Sequence, residues 1–156
     1  MHKENTSGEN QEMTQDTYRA SNRPTKNPVV SIDQLQQPEW ANAAVVLETG
    51  HILWGVGCGA QGHSTGELCF NTALTGYQEV ITDPSYAEQI ITFTTPHIGN
   101  VGVNSLDVEH PRPACCGVIM REAPSDPSNY RAEHSLSAWL TDQSVIGVSG
   151  VDTRSL

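Results

Sequence analysis

The sequence has 156 residues and a formal net charge of −10, which is enough chain for one domain and a tail. Neither Lys nor Arg occurs between Lys26 and Arg112, whereas nucleic acid phosphate and anionic lipid both require basic patches. No apolar run approaches the ~20 residues of a membrane helix. We therefore expect no nucleic acid and no membrane among the partners of this chain.

Residues 1–40 are predicted to be a polar extension that precedes a domain at 41–156. Met1–Pro28 has few aliphatic residues, so we expect it to be disordered. Val29–Trp40 is compatible with a short strand and turn or with a tether laid over the domain. The N-terminus has no apolar segment of a secretory signal and carries acids that transit peptides lack, which predicts a cytoplasmic protein.

The elements of the domain follow from apolar patterns and turn residues. Ala43–Glu48 and His51–Gly55 flank Thr49-Gly50 and predict a β-hairpin. Ser135–Asp142 predicts a helix that Ser135 caps, because its apolar residues recur at helical spacing. Asp152 is predicted to cap a further helix. Four more strands are predicted, at Glu67–Asn71, Gln89–Thr94, Ala114–Arg121 and Val145–Val151.

This pattern predicts an α+β fold. We expect a layered β/β/α domain of several short strands with one or two helices packed on one side. The segment between Lys26 and Arg112 carries acidic residues, among them Glu39, Glu67 and Asp107, and neither Lys nor Arg. These acids form either a face that docks on a basic partner or a solvated surface, and both interpretations stay open.

The connection between Glu67–Asn71 and Gln89–Thr94 is polar and too elaborate for a plain hairpin. It carries Thr75-Gly76-Tyr77-Gln78 and then Asp83-Pro84-Ser85-Tyr86. Asp-Pro-Ser is typical of a turn, since Pro fixes φ and the Asp and Ser side chains bond neighbouring backbone groups. Such a turn holds Ser85 in a fixed pose. The Thr75–Gln78 segment either packs on its own domain, with a positive φ at Gly76 and a hydrogen-bonded Tyr77, or shapes a surface for a partner subunit.

The run NTALTGYQEVITDPSYAEQIITFTTPHIGNVGVN, residues 71–104, resembles the signature of the small, glutamine-using subunit of carbamoyl-phosphate synthase, in its N-terminal domain. The resemblance extends from Ala43 to Arg154. It implies that Ser85 contacts the glutamine bound in a neighbouring class I amidotransferase domain, and that the chain docks on the large subunit. It also implies that catalysis rests on a Cys–His–Glu set outside this chain. No cofactor is expected here, since ATP and its metal ion are expected on the large subunit.

In that family the chain continues beyond Asp152 through a helix into the amidotransferase domain. We therefore expect a fragment of a two-domain subunit, without glutaminase activity by itself, that serves pyrimidine and arginine synthesis. The alternative is a stand-alone interaction domain derived from that subunit, which binds the large subunit and delivers no ammonia.

Three other motifs are interpreted as non-catalytic. Gly57–Gly62 has the letters of G-x-G-x-x-G, but no helix is predicted after it, so we expect no nucleotide site. Cys58 lacks the surroundings of a nucleophile elbow. Asp83, Ser85 and His97 lack the elbow and oxyanion loop of a hydrolase triad, and we expect no catalytic residue here. No second His or Cys lies at metal-ligand spacing from His97, so no metal is expected.

Overall fold

The computed structural model describes residues 36–156, so the predictions for the first 35 residues lie outside the described residues. The described part contains six strands, two α-helices and one short 3₁₀ turn at Pro84–Tyr86. The strands are β1 Ala43–Val46, β2 Ile52–Gly57, β3 Glu67–Asn71, β4 Gln89–Phe93, β5 Gly117–Met120 and β6 Ile146–Ser149, and the helices are α1 Tyr77–Thr82 and α2 Leu136–Asp142.

The six strands form one mixed sheet in the order β1-β2-β6-β5-β4-β3. β1 and β2 are the predicted antiparallel hairpin, in register from Ala43–Gly55 to Val46–Ile52. β2 pairs antiparallel with β6, whereas β6, β5, β4 and β3 are mutually parallel. Parallel neighbours need crossover connections, and α1 lies in the one between β3 and β4. The predicted α+β class is confirmed.

The parallel strands β4, β5 and β6 are largely buried on both faces, whereas the edge strand β3 is partly exposed. Side chains alternate along β4, so that Ile91 and Phe93 join the helices in one apolar cluster while Ile90 contributes to a second. The second cluster also holds Leu53 of β2 and Val45 of β1, so the hairpin covers the face opposite the helices. Both helices contribute to the first cluster, so they pack on one side of the sheet as predicted.

The helix α2 begins as the sequence predicts. The Ser135 hydroxyl accepts a hydrogen bond from the Ala138 backbone N–H at 3.3 Å, which satisfies one of the free donors at the helix start. Leu136 and Leu140 lie on the inner face and are fully buried. Ser144, at φ 60, ends the helix and turns the chain into β6. Neither described helix is long and apolar enough to cross a membrane.

The helix predicted at Asp152 is not found in residues 152–156. The Ser155 N–H bonds to the Asp152 carbonyl at 2.9 Å. These residues are three positions apart, whereas the hydrogen bonds of an α-helix join residues four positions apart. The Asp152 carboxylate accepts further bonds from the Arg154 N–H and the Ser155 hydroxyl. The bond from the Arg154 N–H is the one that an N-cap side chain accepts, so Asp152 has the local geometry of the predicted cap. Residues 152–156 span little more than one turn, and the helix that the cap would begin stays a prediction.

Candidate functional site

The candidate site lies in the connection between β3 and β4, where α1 leads directly into the 3₁₀ turn. Gly76 is the N-cap residue directly before α1, and its φ of 80 agrees with the positive φ predicted for it. The residues that α1 buries are Tyr77, Gln78, Ile81 and Thr82, so one face of a six-residue helix packs onto the domain. A single short helix is not stable alone, and tertiary contacts must hold this one in place.

The first of these contacts is made by Tyr77. Its side chain is 3% exposed, and its hydroxyl donates to the Gly102 carbonyl at 2.6 Å. Burial raises the pKa of Tyr77 to about 12, so the phenol stays a neutral donor. The interpretation of Tyr77 as a packed tyrosine with a hydrogen-bonded hydroxyl is confirmed.

Gln78 makes the second contact. Its amide nitrogen donates to the Asn104 carbonyl at 2.7 Å, and its amide oxygen accepts from the Asn104 N–H at 3.0 Å. The Gln78 amide thus satisfies both the C=O and the N–H of Asn104, as the backbone of a neighbouring β-strand does. Gln78 is 3% exposed, so it faces its own domain rather than a partner subunit.

Thr82 adds a third contact at the end of α1. Its hydroxyl accepts from the Glu109 N–H at 3.0 Å and lies 2.9 Å from the Gln78 carbonyl. The segment 102–109 therefore receives three polar side chains of α1 and fixes the orientation of the helix.

The turn that follows presents Ser85. The Asp83 carboxylate accepts from the Ser85 backbone N–H at 2.8 Å, and the Tyr86 N–H bonds to the Asp83 carbonyl at 3.1 Å. The bond from the Ser85 backbone N–H, and then one from the Ser85 hydroxyl, holds the pKa of Asp83 below its usual value. Tyr86 packs against the core, whereas Ser85 is exposed. The turn is anchored on one side and offers Ser85 to solvent on the other.

Asp83, Ser85 and His97 do not form a hydrolase triad in the described structure. Asp83 binds the backbone of Ser85, not a histidine. His97 is exposed in the turn after β4, and no hydrogen bond within residues 36–156 joins it to Ser85 or Asp83. Within residues 36–156 no histidine is hydrogen-bonded to Ser85 as a general base, so the arrangement supports a binding group and not a nucleophile.

The glycine loop and Cys58 carry no catalytic arrangement either. β3 follows the loop Gly57–Gly62, so no helix N-terminus is available there for a pyrophosphate. Burial raises the pKa of the Cys58 thiol to about 11, against a smaller opposite effect of the Ser149 hydroxyl. A neutral thiol is a poor nucleophile. Among residues 36–156, no three His, Cys, Asp or Glu side chains are grouped as metal ligands.

A cavity of about 660 Å³ lies between the hairpin, this glycine loop and the sheet. Its walls are mainly strand residues and glycines, among them Val45, Gly59, Gly117 and Val148. No residue of the Ser85 turn lines it. The cavity and the exposed serine are therefore separate features of the domain.

The sequence pattern did not reveal α1 or the roles of Gln78 and Thr82. Their spacing with Tyr77 and Ile81 is helical, but two of the four buried residues are polar, so the apolar pattern is too weak to predict a helix. The only sequence signal is the density of hydrogen-bonding side chains on one face.

The model of one protein family, "Carbamoyl-phosphate synthase small chain, CPSase domain", matches residues 45–156, which include the whole connection and the Ser85 turn. The chain belongs to this family. It is 55% identical to a carbamoyl phosphate synthase small chain of Bradyrhizobium diazoefficiens over 127 residues, covering 76% of this chain and 32% of the relative.

Two further small chains of this family show similar agreement. The carbamoyl phosphate synthase small chain of Polynucleobacter asymbioticus is 51% identical over 76% of this chain and 30% of its own length. That of Caulobacter vibrioides is 52% identical over 72% of this chain and 30% of its own length. The chain thus spans about a third of the length of the curated relatives it matches.

Proposed function

We propose that this chain is the N-terminal part of a glutamine-hydrolysing carbamoyl-phosphate synthase small subunit, with the domain at residues 41–156 behind an extension at 1–40. In the intact subunit a class I amidotransferase domain follows and releases ammonia from glutamine. The family match over residues 45–156 supports this assignment. The relatives are about three times as long as the part aligned here, which leaves room for that second domain.

The proposed holoenzyme is a cytoplasmic ligase. Its large subunit binds ATP with a metal ion and makes carbamoyl phosphate from bicarbonate and the ammonia, for pyrimidine and arginine synthesis. This chain docks on the large subunit and requires no cofactor of its own. We expect it to hydrolyse no glutamine by itself, because the Cys–His–Glu set that the family resemblance implies belongs to the amidotransferase domain.

Within the proposed subunit, Ser85 contacts glutamine across the domain boundary. The observation that carries this role is an exposed hydroxyl in a turn whose backbone is already fixed by the bond of the Ser85 N–H to Asp83. A preorganised group loses little conformational entropy when a ligand binds. A hydrogen bond made equally to substrate and transition state lowers KM and leaves kcat unchanged.

Replacement of the hydroxyl tests this role. We expect Ser85→Ala in the intact subunit, assembled with the large subunit, to raise the glutamine KM about 2- to 10-fold, since one hydrogen bond contributes about 0.5–1.5 kcal/mol. The kcat should change much less. Steady-state kinetics with glutamine measures both.

Ser137→Ala is the matched control, because Ser137 lies on α2 and outside the turn. It should leave the glutamine KM unchanged. An unchanged KM in Ser85→Ala, with the enzyme fully assembled, would contradict the assignment of Ser85 to the glutamine site.

A further inference from the structure

We propose that Gln78 is the positioning residue for Ser85. Its amide fixes α1 on the segment 102–109, and the helix in turn sets where the Asp83–Tyr86 turn holds the Ser85 hydroxyl. This inference rests on the proposed contact between Ser85 and glutamine.

The pairing of Gln78 with Asn104 has the geometry of a specific anchor. Both polar atoms of the amide bond to the backbone of one residue, at 2.7 and 3.0 Å, and the side chain is almost fully buried. A buried amide that loses such partners pays the full desolvation cost of the groups left unpaired. Two bonds to the backbone of one residue also restrict rotation of the amide, which a single bond does not.

Asn104, which Gln78 binds, is held in place by hydrogen bonds of its own side chain. The Asn104 side-chain oxygen accepts from the backbone N–H groups of Leu106 and Asp107, at 2.8 and 3.0 Å. The Asn104 side-chain nitrogen donates to the Asp107 carboxylate, which also pairs with Arg131 at 2.8 Å. Asn104 is therefore held by its own side chain while its backbone receives Gln78.

Only a few residues, all held by hydrogen bonds, connect Gln78 to Ser85. Gln78 lies one helical turn before Thr82, whose hydroxyl binds both the Gln78 carbonyl and the Glu109 N–H. Asp83 follows directly, and its carboxylate holds the Ser85 backbone. No flexible linker separates the anchor from the exposed hydroxyl, so a shift of α1 must move Ser85.

The competing explanation is that Gln78 only stabilises the fold and has no influence on the site. In that case its loss lowers stability, and any effect on catalysis is independent of Ser85. The two explanations differ in one measurable quantity, the coupling between the two residues in the glutamine KM.

A double-mutant cycle in the intact small subunit, assembled with the large subunit, measures this coupling. Gln78→Met keeps the volume of the side chain and removes both hydrogen bonds. We expect it to raise the glutamine KM about 3- to 10-fold in the natural background, with kcat within about twofold. In the Ser85→Ala background the same change should raise KM by less than about twofold.

Gln61→Met is the matched control, because Gln61 is an exposed glutamine on the glycine loop. It should leave KM unchanged. An equal rise from Gln78→Met in both backgrounds, or no rise in the natural one, would overturn the positioning role. If Ser85→Ala alone leaves KM unchanged, it is instead the proposed function of Ser85 that fails.

Gln78→Glu supplies an independent test if Gln78→Met does not fold. A protonated carboxyl can donate to the Asn104 carbonyl and accept from its N–H, as the amide does, whereas a carboxylate has no donor. We expect the ratio of variant to natural KM to fall toward unity as the pH is lowered. A ratio that is independent of pH would overturn the proposal.

Discussion

At the scale of single residues, the connection depends on buried polar groups that are all paired. Tyr77, Gln78 and Thr82 each reach a backbone group of the segment 102–109. Each bond contributes only about 1 kcal/mol net, but a partner left unpaired in the interior costs about 1–3 kcal/mol. The network therefore selects one arrangement of α1 more strongly than its net stability suggests.

Removal of the Tyr77 hydroxyl should show how much one of these bonds contributes to stability. We expect Tyr77→Phe to lower the free energy of unfolding by about 1–2 kcal/mol, because the Gly102 carbonyl then loses its donor in a buried site. Tyr130→Phe is the control, since Tyr130 is 96% exposed, and it should change stability by less than about 0.5 kcal/mol. Urea denaturation of both variants is the measurement, and equal losses would contradict the role of the Tyr77 bond.

At the scale of elements, α1 and the loop after β4 form one unit. The loop turns at Gly99 and Gly102, with φ values of 100 and 70. A side chain at Gly102 would collide with Ala132 and Pro127, so the backbone there is both left-handed and closely packed. At this closely packed position the Gly102 carbonyl accepts the hydrogen bond from Tyr77.

Two glycine substitutions separate conformation from packing. Gly102→Ala should lower the free energy of unfolding by about 2–4 kcal/mol, from the positive φ and the collision together. Gly50→Ala, at φ 85 with no atom within 4 Å of the added methyl group, should lose only about 1 kcal/mol. Urea unfolding of the two variants tests this, and a loss at Gly50 as large as at Gly102 would show that packing contributes nothing.

At the scale of the whole molecule, two apolar layers enclose the sheet and bury ionisable groups in their neutral form. Cys58 and Cys115 pack against the cluster that also contains Tyr77. Burial raises the pKa of both thiols from 9.0 to about 11 and that of Tyr77 from 10.0 to about 12. Folding therefore favours the protonated forms of all three groups.

This linkage predicts alkaline sensitivity. Below pH 9 both states hold these protons and the stabilisation is fully present. As the pH rises from 9 to 12, the unfolded chain releases protons first, so the free energy of unfolding should fall through this range. Urea titrations at increasing pH measure the slope. Combined Cys58→Ala and Cys115→Ala replacement should flatten its lower part, and an unchanged slope would contradict the linkage.

Several features could be predicted from the sequence because their causes are local. The hairpin follows from Thr49-Gly50 between two apolar runs, and the start of α2 follows from Ser135 before its apolar face. The turn at Asp83–Tyr86 follows from residues that bond within four positions of one another. The family resemblance also rests on a continuous run of residues, and the family match confirms it.

Other features depended on the tertiary structure. The order β1-β2-β6-β5-β4-β3 places strands side by side that are distant in the chain, and no local signal encodes such pairing. The helix α1 has too few apolar residues to be visible alone, and the bonds that hold it join residues 25 to 27 positions apart. The family and the Asp83–Tyr86 turn could both be inferred from the sequence, because each depends on residues that are neighbours in the chain. The contacts that hold α1 before this turn are seen only in the folded chain, because Gln78 and Asn104 lie 26 positions apart in the sequence.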